Sequence, residues 1–180
     1  APYALQFDGI DDQVSLADSD GIRAVASLSY ELWVNIDTVN SAALVQPGRP
    51  GPNGVVENFT GMVLIAHGNG KFQAYTQTAI GTNLTWSSYL NSDGSYSTNT
   101  WYHVVSTFTA GTGTRLYVNG AEQAQTYNTA LPLYYHPSTT LPVTLGSETV
   151  SAANVLAGRL ARVRIWAKGL TAQEVENLYR

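Results

Sequence analysis

Four residues near the start of the chain carry the oxygen ligands that calcium prefers. The segment ALQFDGIDDQVSL, residues 4 to 16, places Asp8, Asp11 and Asp12 around Gly9, between two short runs of alternating apolar residues. Calcium takes roughly six to eight oxygens, and three carboxylates with backbone carbonyls such as that of Gly9 could supply several of them. The same residue types also suit a tight turn, in which aspartate caps its own backbone. The segment predicts a calcium site or a turn, and the residue types alone leave both open.

A second set of residues suits the recognition of sugars. The chain has 11 Tyr and 4 Trp against 4 Phe, so most of its rings carry a polar group. A pyranose can stack its apolar face on such a ring while neighbouring polar groups bind its hydroxyls. We predict a ligand site among Asn83, Trp86 and Tyr89 in a polar stretch, Tyr134, Tyr135 and His136 in a proline-punctuated loop, and Arg49 between two prolines.

Several of these residues also have a purely structural interpretation. Trp86 shares strand parity with nearby leucines, which would direct it into the core, whereas Tyr89 has the opposite parity and is the better candidate. Tyr134 and Tyr135 could instead belong to a loop that folds over the edge of a sheet. Arg49 could simply be solvated. A stacking platform is therefore predicted at Tyr89 or at Tyr135.

The sequence lacks the patterns typical of carbohydrate-active enzymes on β-sandwiches. A hydrolase of this kind needs two carboxylates about 5 to 10 Å apart, usually alternating along one strand, and no such alternation occurs. Glu31 and Asp37 lie six residues apart on one predicted strand, which separates them by about 20 Å. No Gly-x-Ser-x-Gly motif occurs, and His103 is predicted to be a hydrogen-bonded strand histidine. We predict that the protein is not an enzyme.

These candidate residues must be positioned by β-strands, because apolar residues recur at every second position in several segments. The clearest case is the set Leu28, Tyr30, Leu32 and Val34. A continuous apolar run at 62–65 predicts a strand buried on both faces, and tight turns are predicted at 67–71 and 119–120. Many short strands without a crossover helix predict an all-β antiparallel sandwich of two sheets.

One short helix and two irregular segments complete the predicted elements. Thr171 and Glu174 form a capping box, which predicts a helix at the end of the sequence that docks on the sandwich. The segment 46–54 contains three prolines and is predicted not to be a central strand. The segment 127–142 is a proline-punctuated loop. With 44% hydrophobic residues, 180 residues are expected to form one domain, 1–180.

Composition excludes several classes of partner. The formal net charge is −4 and the nine basic residues form no run, so nucleic acid is not expected as a partner. No apolar stretch is long enough for membrane insertion. The chain has no Cys, which excludes disulfides and thiolate metal sites. The sequence begins with Ala, which suggests a removed leader or a fragment of a longer protein.

Five segments together resemble the laminin-G-like, concanavalin A-like sandwich domains. They are FDGIDDQVSL at 7–16, YELWVNID at 30–37, TWYHVVSTF at 100–108, RLYVNGAE at 115–122 and GRLARVRIWAKGLTAQEVENLY at 158–179. The resemblance implies a jelly roll whose first and last strands are adjacent, and a lectin-like, non-catalytic role toward a glycan or glycoconjugate in a secreted or extracellular protein. Protein binding or adhesion is the alternative, and a polysaccharide hydrolase or lyase is less favoured.

The resemblance also implies a structural calcium ion near the first turn. The family often holds it with the FDG-type loop and an acidic residue at the start of the last core strand, where this chain has Ala161. Arg159, Arg162 and Arg164 crowd the same segment. We expect these arginines to face the acidic N-terminal region, so that ion pairs would join the two strands in place of a metal.

Overall fold

The computed structural model describes residues 3–16, 26–50, 56–58, 62–80, 83–124, 142–148 and 154–180, but not the side chains of 48–50, 56–58, 77–80 and 83–88. Within these ranges the chain forms two antiparallel sheets and one short helix. The predicted all-β, two-sheet antiparallel jelly-roll sandwich is confirmed.

The first sheet, called the helix sheet below, lies under the helix. Its strand order is β1 (Leu5–Asp8), β13 (Ala157–Trp166), β3 (Ser27–Ile36), β9 (Trp101–Thr109), β10 (Gly113–Val118) and β11 (Ala121–Glu122). The first and last strands are neighbours, with Leu5 opposite Leu160 and Asp8 opposite Ala157. This adjacency is the one that the family resemblance implies.

The second sheet, called the groove sheet below, carries the candidate site. Its strand order is β2 (Val14–Leu16), β12 (Val143–Leu145), β4 (Ala42–Pro50), β6 (Met62–Ala66), β7 (Phe72–Ile80) and β8 (Asn83–Asn91), and β5 (Val56–Asn58) pairs with β4. Irregularities in register occur between Ala43 and Val45 on β4 and between Thr76 and Gln77 on β7.

The core fills the space between the two sheets. On β3, the four alternating residues Leu28, Tyr30, Leu32 and Val34 are all fully buried in it, as their spacing predicts. The groove sheet contributes Leu44, Met62, Leu64, Phe72, Ala74 and Leu90. Because successive strand residues point to opposite faces, the residues between these core positions face away from the core.

The proline-containing segment after Val45 is a strand, so the prediction that 46–54 cannot belong to a central strand is wrong as far as Pro50. Pairing of β4 with β6 ends at Val45, opposite Leu64. Beyond that point β4 pairs through Pro47 with Val143 of β12, and then with β5. Proline lacks only the backbone donor, so it is tolerated where pairing on one side has ended.

The C-terminal helix α1 (Ala172–Tyr179) begins with the predicted capping box. The Thr171 side chain accepts from the backbone N–H of Glu174, and the Glu174 carboxylate accepts from that of Thr171. The helix buries Val175 against Val105 and Tyr117 of the helix sheet. The Tyr179 ring stacks on Trp33 with centroids 5.9 Å apart. The predicted docking of a short helix on the sandwich is therefore confirmed.

Arginines of β13 bind Glu31 on β3 and Asp37 just after it, so the expectation that Arg159 and Arg164 face the N-terminal acids is wrong. Arg159 donates to Asp37 at 3.1 Å. Arg164 donates to both oxygens of Glu31, at 3.0 and 3.3 Å. The reason is topological, because β13 lies between β1 and β3 and its arginines reach acids on β3 and at its end. The third arginine, Arg162, lies at the register shift of β13 with φ 50°.

Glu31 is the centre of a buried polar cluster under the helix. Its side chain is 1% exposed, and it also accepts from Trp166 Nε1 at 3.0 Å. The His103 imidazole, also buried, lies with Nε2 3.5 Å from Glu31 Oε1. Burial raises the pKa of the Glu31 carboxyl, but contacts with His103, Trp166 and Arg164 together hold that pKa below its ordinary value. His103 is thus part of a buried structural cluster on the helix sheet, whereas the candidate site lies on the other sheet.

Candidate functional site

The candidate site is built on the face of the groove sheet that points away from the core. On β7, Phe72 and Ala74 are core residues, so Gln73 and Tyr75, which alternate with them, face outward. On β8, Leu90 is in the core, and Tyr89 faces outward as its parity predicts. Strand pairing sets Tyr75 directly opposite Tyr89. Their rings meet edge to face, with centroids 4.7 Å apart and planes at 70°.

A buried glutamine holds the two tyrosines in place. The Gln73 amide nitrogen donates to the Tyr89 hydroxyl at 3.0 Å and to the Asn91 side-chain oxygen at 2.5 Å. The Gln73 amide oxygen accepts from the Tyr75 hydroxyl. Because Gln73 is fully buried, it is a rigid support for both phenols.

The tyrosine pair forms one wall of a groove of about 470 Å³, a volume within the usual range of small-ligand sites. The groove is lined by Ser41, Ala42, Ala43, Ile65, His67, Tyr75, Tyr89, Glu148 and Asn154. It therefore combines aromatic and aliphatic surface with a hydroxyl, an imidazole, a carboxylate and an amide. This mixture suits a ligand that has both an apolar face and several hydroxyl groups.

The neutral His67 imidazole can donate a hydrogen bond from Nε2. Its Nδ1 accepts the backbone N–H of Asn69 at 3.2 Å, so that nitrogen carries a lone pair and the ring proton of the neutral form is on Nε2. Its carbonyl accepts from the buried Tyr96 hydroxyl at 3.0 Å. The Ser41 hydroxyl, which accepts from Gly68 N–H at 3.2 Å, retains its own proton to donate.

Two further lining residues are Glu148, which follows β12, and Asn154, which precedes β13. Gly146 allows the turn that leads to Glu148, since its φ is +83° and a Cβ there would lie 2.2 Å from the Phe7 ring. The Asn154 amide donates to the Glu148 carboxylate. The Asn154 backbone carbonyl also accepts from Ala43 N–H at 2.9 Å, which holds Asn154 against β4.

A second recess, of about 480 Å³, adjoins the groove at Tyr89, which lines both. Its other lining residues are Asn69, Lys71, Asn91, Ser92 and Asp93. The Lys71 ammonium donates to the backbone carbonyls of Ser92 and Asp93, at 2.9 and 3.0 Å. A ligand longer than one ring could therefore extend from the groove past Tyr89.

The Tyr75 phenol is a hydrogen-bond donor rather than a phenolate at neutral pH. Burial raises the pKa of the Tyr75 hydroxyl well above its ordinary value, and the neighbouring Tyr89 hydroxyl raises it further. A raised pKa opposes ionisation, so Tyr75 is a poor candidate for a nucleophile.

Of the seven residues predicted to bind ligand, Tyr89 is the one whose side chain the structure describes, and it lies in the groove. It is on a strand rather than in a loop, so the prediction of loop aromatics is corrected for this residue. Asn83 and Trp86 lie on β8 and Arg49 on β4, but their side chains are outside the described set. Tyr134, Tyr135 and His136 lie outside the described residues altogether.

Sequence reasoning did not single out Tyr75, Ser41, Glu148 or Asn154, and it assigned His67 only to a turn. Tyr75 could have been found from the alternation of β7, which places it on the face opposite the core residues Phe72 and Ala74. The other groove residues meet only through strand pairing and the turn at Gly146. No local pattern indicates them.

The acidic segment between β1 and β2 contains the hydrogen bonds of the predicted turn. Asp8 Oδ1 accepts from Ile10 N–H at 2.8 Å, and Asp12 Oδ2 accepts from Asp8 N–H at 2.9 Å, so the predicted turn is present. Gly9 has φ +80°, and a Cβ there would lie 2.8 Å from the Ala157 Cβ.

The same three carboxylates fit a cation by distance. Asp8, Asp11 and Asp12 each offer an oxygen within 4.8 Å of the others. Calcium–oxygen distances of about 2.3 to 2.6 Å allow ligands of one ion to be up to about 5 Å apart. The exposed turn can thus supply three ligands, and the remainder of a coordination shell would come from backbone carbonyls and water.

Ala161 does not face this turn, contrary to the position inferred from the family resemblance. Strand pairing places Ala157 opposite Asp8. Ala161 lies four residues farther along β13, about 13 Å away, and is paired with Trp33 on the other side. The absence of a carboxylate at Ala161 therefore does not affect the ligands available near Asp8.

Comparison with known proteins identifies the family to which the fold belongs. The laminin-G family model of the concanavalin A-like lectin/glucanases superfamily matches residues 8–176. No curated protein matches the chain. Among the described residues, no helix has the length and apolar character needed to cross a membrane.

Three solved structures share the fold at low sequence identity. Trypanosoma rangeli sialidase in complex with 2,3-difluorosialic acid aligns with a TM-score of 0.66 at 18% identity, over 99% of this chain and 27% of the sialidase. The heptameric SAP-like pentraxin from Limulus polyphemus aligns with a TM-score of 0.64 at 15% identity, over 96% and 83%. A Bacteroides ovatus ATCC 8483 protein assigned as carbohydrate-binding aligns with a TM-score of 0.65 at 17% identity, over 96% and 47%.

Proposed function

Because the chain belongs to the concanavalin A-like lectin/glucanase superfamily, we propose that it is a non-catalytic, lectin-like module that binds a glycan in the groove beside Tyr75 and Tyr89. The observation that carries this proposal is the tyrosine pair itself. Its rings are fixed by Gln73, are partly exposed, and lie next to Ser41, His67 and Glu148. A sugar ring would contact the aromatic surface while its hydroxyls pair with these polar groups.

Pre-organisation favours binding at this site. The Tyr75 and Tyr89 phenols are held by one buried amide, and the Glu148 carboxylate is held by Asn154. Side chains that are already ordered lose little conformational entropy when a ligand binds. The groove therefore suits sugars, whose individual hydroxyl contacts contribute little net free energy.

The relatives support the same role by analogy of fold. The Bacteroides ovatus protein is assigned as carbohydrate-binding, and the sialidase binds a sialic acid derivative. The chain spans only 27% of the sialidase and 47% of the Bacteroides ovatus protein, so the activities of those whole proteins are not transferred to it. An extracellular location, where glycans are accessible, is part of the proposal.

We propose that the protein does not hydrolyse glycans, and the argument rests on the acidic residues that line the groove. Glycoside hydrolysis by the usual mechanism needs two carboxylates about 5 to 10 Å apart. Among the residues that the structure describes, Glu148 is the one acid that lines the groove. Glu31 lies on β3 of the helix sheet and Asp37 directly follows that strand, and each binds an arginine of β13. A tyrosine nucleophile is disfavoured by the raised pKa of Tyr75.

A glycan array tests the proposal. We expect the protein to bind a subset of immobilised glycans, with competition by the same free oligosaccharide. Binding of a partner protein that survives complete deglycosylation of that partner would instead identify an adhesion module. Release of new reducing ends from a bound polysaccharide would identify an enzyme. Either result would overturn the lectin assignment.

We propose that calcium, where present, binds at Asp8, Asp11 and Asp12 with a structural role. The three carboxylates fit one ion by distance, and an ion between them would relieve their mutual repulsion. It would also fasten the β1–β2 turn beside β13. We expect millimolar calcium to raise the melting temperature by a few degrees, because a ligand that binds only the folded state stabilises it.

The asparagine variant Asp11→Asn provides the control for the calcium proposal. In the turn, Asp8 and Asp12 accept the backbone hydrogen bonds, so Asp11 can lose its charge without losing either of those bonds. We expect the melting temperature of this variant to respond less to calcium or to a chelator. An identical calcium response in wild type and variant would show that the ion binds elsewhere.

A further inference from the structure

The recess that adjoins the groove at Tyr89 differs from the groove in chemistry. The groove has an aliphatic and aromatic wall, which includes Ala42, Ala43 and Ile65 beside the two phenol rings. Apart from Tyr89, every described residue that lines the recess is polar: Asn69, Lys71, Asn91, Ser92 and Asp93. At about 480 Å³, the recess is also large enough to hold a ligand group of its own.

One side of the recess carries hydrogen-bond donors that the protein already holds in place. The Lys71 ammonium gives two protons to the backbone carbonyls of Ser92 and Asp93, at 2.9 and 3.0 Å, and retains the third for a ligand. The Asn69 side-chain oxygen accepts from Lys71 N–H at 3.0 Å, so the Asn69 amide nitrogen remains available to donate. Because these groups are ordered without a ligand, binding costs them little conformational entropy.

The other side of the recess carries a further donor and an acceptor. The Asn91 side-chain oxygen accepts from the Gln73 amide at 2.5 Å, which leaves the Asn91 amide nitrogen to donate. One oxygen of the Asp93 carboxylate accepts from Ala124 N–H at 3.0 Å, and the second oxygen remains an acceptor. The described wall of the recess therefore offers three donor groups and a carboxylate, a set that matches the hydroxyls of a sugar, which both donate and accept.

The recess lies one sugar length from the aromatic pair. Tyr89 and Asn91 are two residues apart on the same face of β8, which separates them by about 7 Å, roughly the length of one sugar ring. Strand pairing places Tyr75 opposite Tyr89 and Gln73 opposite Asn91. A sugar chain that follows β8 from the groove would therefore pass Tyr89 and set its next unit among the polar groups of the recess.

We propose that the recess is a second sugar subsite, so that the protein binds an oligosaccharide of at least two units across Tyr89. The unit in the groove contacts the aromatic pair, and the unit in the recess is held by hydrogen bonds from Asn69, Lys71 and Asn91 and to Asp93. This inference rests on the proposed glycan-binding function and specifies its ligand as a chain rather than a single terminal sugar.

Oligosaccharides of increasing length test the second subsite. The probes are chains of one to five units of glucose, galactose or mannose, and of any further glycan that the array identifies, measured by isothermal titration. We expect chains of two or more units to bind at least about tenfold more tightly than the single unit, a difference of about 1.4 kcal/mol. The second unit adds contacts without a second cost of association.

The possible failures of this test are distinguishable. Equal affinity for single units and for longer chains would overturn the second subsite and leave the glycan-binding function intact. Absence of binding by every chain, together with an array that shows no bound glycan, would instead overturn the proposed function.

A recess variant identifies the source of the gain with length. Asn69→Ala combined with Asp93→Ala removes two exposed side chains, but it keeps the Asp93 carbonyl that Lys71 binds. We expect the affinity for single units to be unchanged, which shows an intact groove, and the gain with length to fall below about threefold. Asn177→Ala, on exposed α1, is the matched control and should keep the whole gain. The whole gain in the recess variant would show that the chain does not enter the recess.

Two single variants complete the test. Asp93→Asn keeps the oxygen that accepts from Ala124 and loses the charge, so it should reduce the gain with length by about threefold without loss of the fold. Ser41→Ala changes the groove alone, so it should weaken the binding of every chain length by the same factor. A loss in Ser41→Ala confined to the longer chains would contradict the assignment of the two subsites.

Discussion

Replacing Tyr89 by alanine is expected to weaken glycan binding by about 2 kcal/mol, or roughly thirtyfold in Kd. Tyr89 lines both the groove and the adjoining recess, so its ring is available to a ligand in either. Removing the ring also leaves Tyr75 without its edge-to-face partner. Isothermal titration with the tightest oligosaccharide from the array measures the change directly.

Two further variants separate stacking from other effects. Tyr89→Phe keeps the ring but loses the hydrogen bond from Gln73, so we expect most of the affinity to remain. Tyr3→Ala removes a ring that is 89% exposed and distant in the fold, and should change nothing. The free energy of unfolding of Tyr89→Ala should fall by only about 1 to 2 kcal/mol, from the lost aromatic pair and hydrogen bond. Wild-type affinity in Tyr89→Ala would contradict the assignment of this ring.

Replacing Arg164 by methionine is expected to lower the free energy of unfolding by about 3 kcal/mol near neutral pH. The two partners differ in exposure: the Arg164 side chain is 45% exposed, but that of Glu31 is 1% exposed. Loss of the arginine therefore leaves a buried carboxylate with only Trp166 and His103 beside it. Methionine keeps the apolar stem of the side chain, so the loss reports mainly on charge. Urea denaturation measures it.

The pH dependence gives this prediction a specific signature. The lowered pKa of Glu31 contributes stability that is present above its unfolded value of about 4.5 and is lost as the pH falls through the folded value. In Arg164→Met the pKa of Glu31 should rise, since burial remains and the cation is gone. The deficit relative to wild type should therefore shrink as the pH falls from the raised pKa of Glu31 in the variant toward its lowered pKa in wild type. A deficit that does not change with pH would indicate lost packing instead.

A double variant and a binding measurement complete this test. In Glu31→Gln with Arg164→Met the buried charge is absent, so stability should be higher than in Arg164→Met alone. Both variants should bind glycan with wild-type affinity when folded, because this cluster lies on the helix sheet and the groove lies on the other sheet. A large loss of affinity in folded Arg164→Met would contradict the separation of the two faces.

Much of the scaffold was predictable from local patterns. Alternation on β3 predicts its core face, the capping box predicts α1, and parity predicts that Tyr89 faces away from Leu90. These features depend on residues close together in the sequence, for which strand and helix periodicities are strong signals. The prediction that 46–54 is not a central strand failed at Pro47 and Pro50, because the cost of proline depends on which side of a strand is paired.

The site itself depended on contacts that local patterns do not encode. The meeting of Tyr75 and Tyr89 requires the register of β7 against β8. Glu148 reaches the groove because Gly146 turns the chain against Phe7. The arginines of β13 had two possible sets of partners, on β1 and on β3, and only the register showed that Glu31 and Asp37 bind them.

The central claim is that glycans bind at the outward face of β7 and β8. The most direct measurement is a titration of isotopically labelled protein with the tightest oligosaccharide, followed by amide and side-chain NMR shifts. We expect the largest changes at Ser41, Ile65, His67, Tyr75 and Tyr89. Saturable changes confined to the Asp8–Asp12 turn or to the helix sheet, with the groove signals unmoved, would contradict the claim.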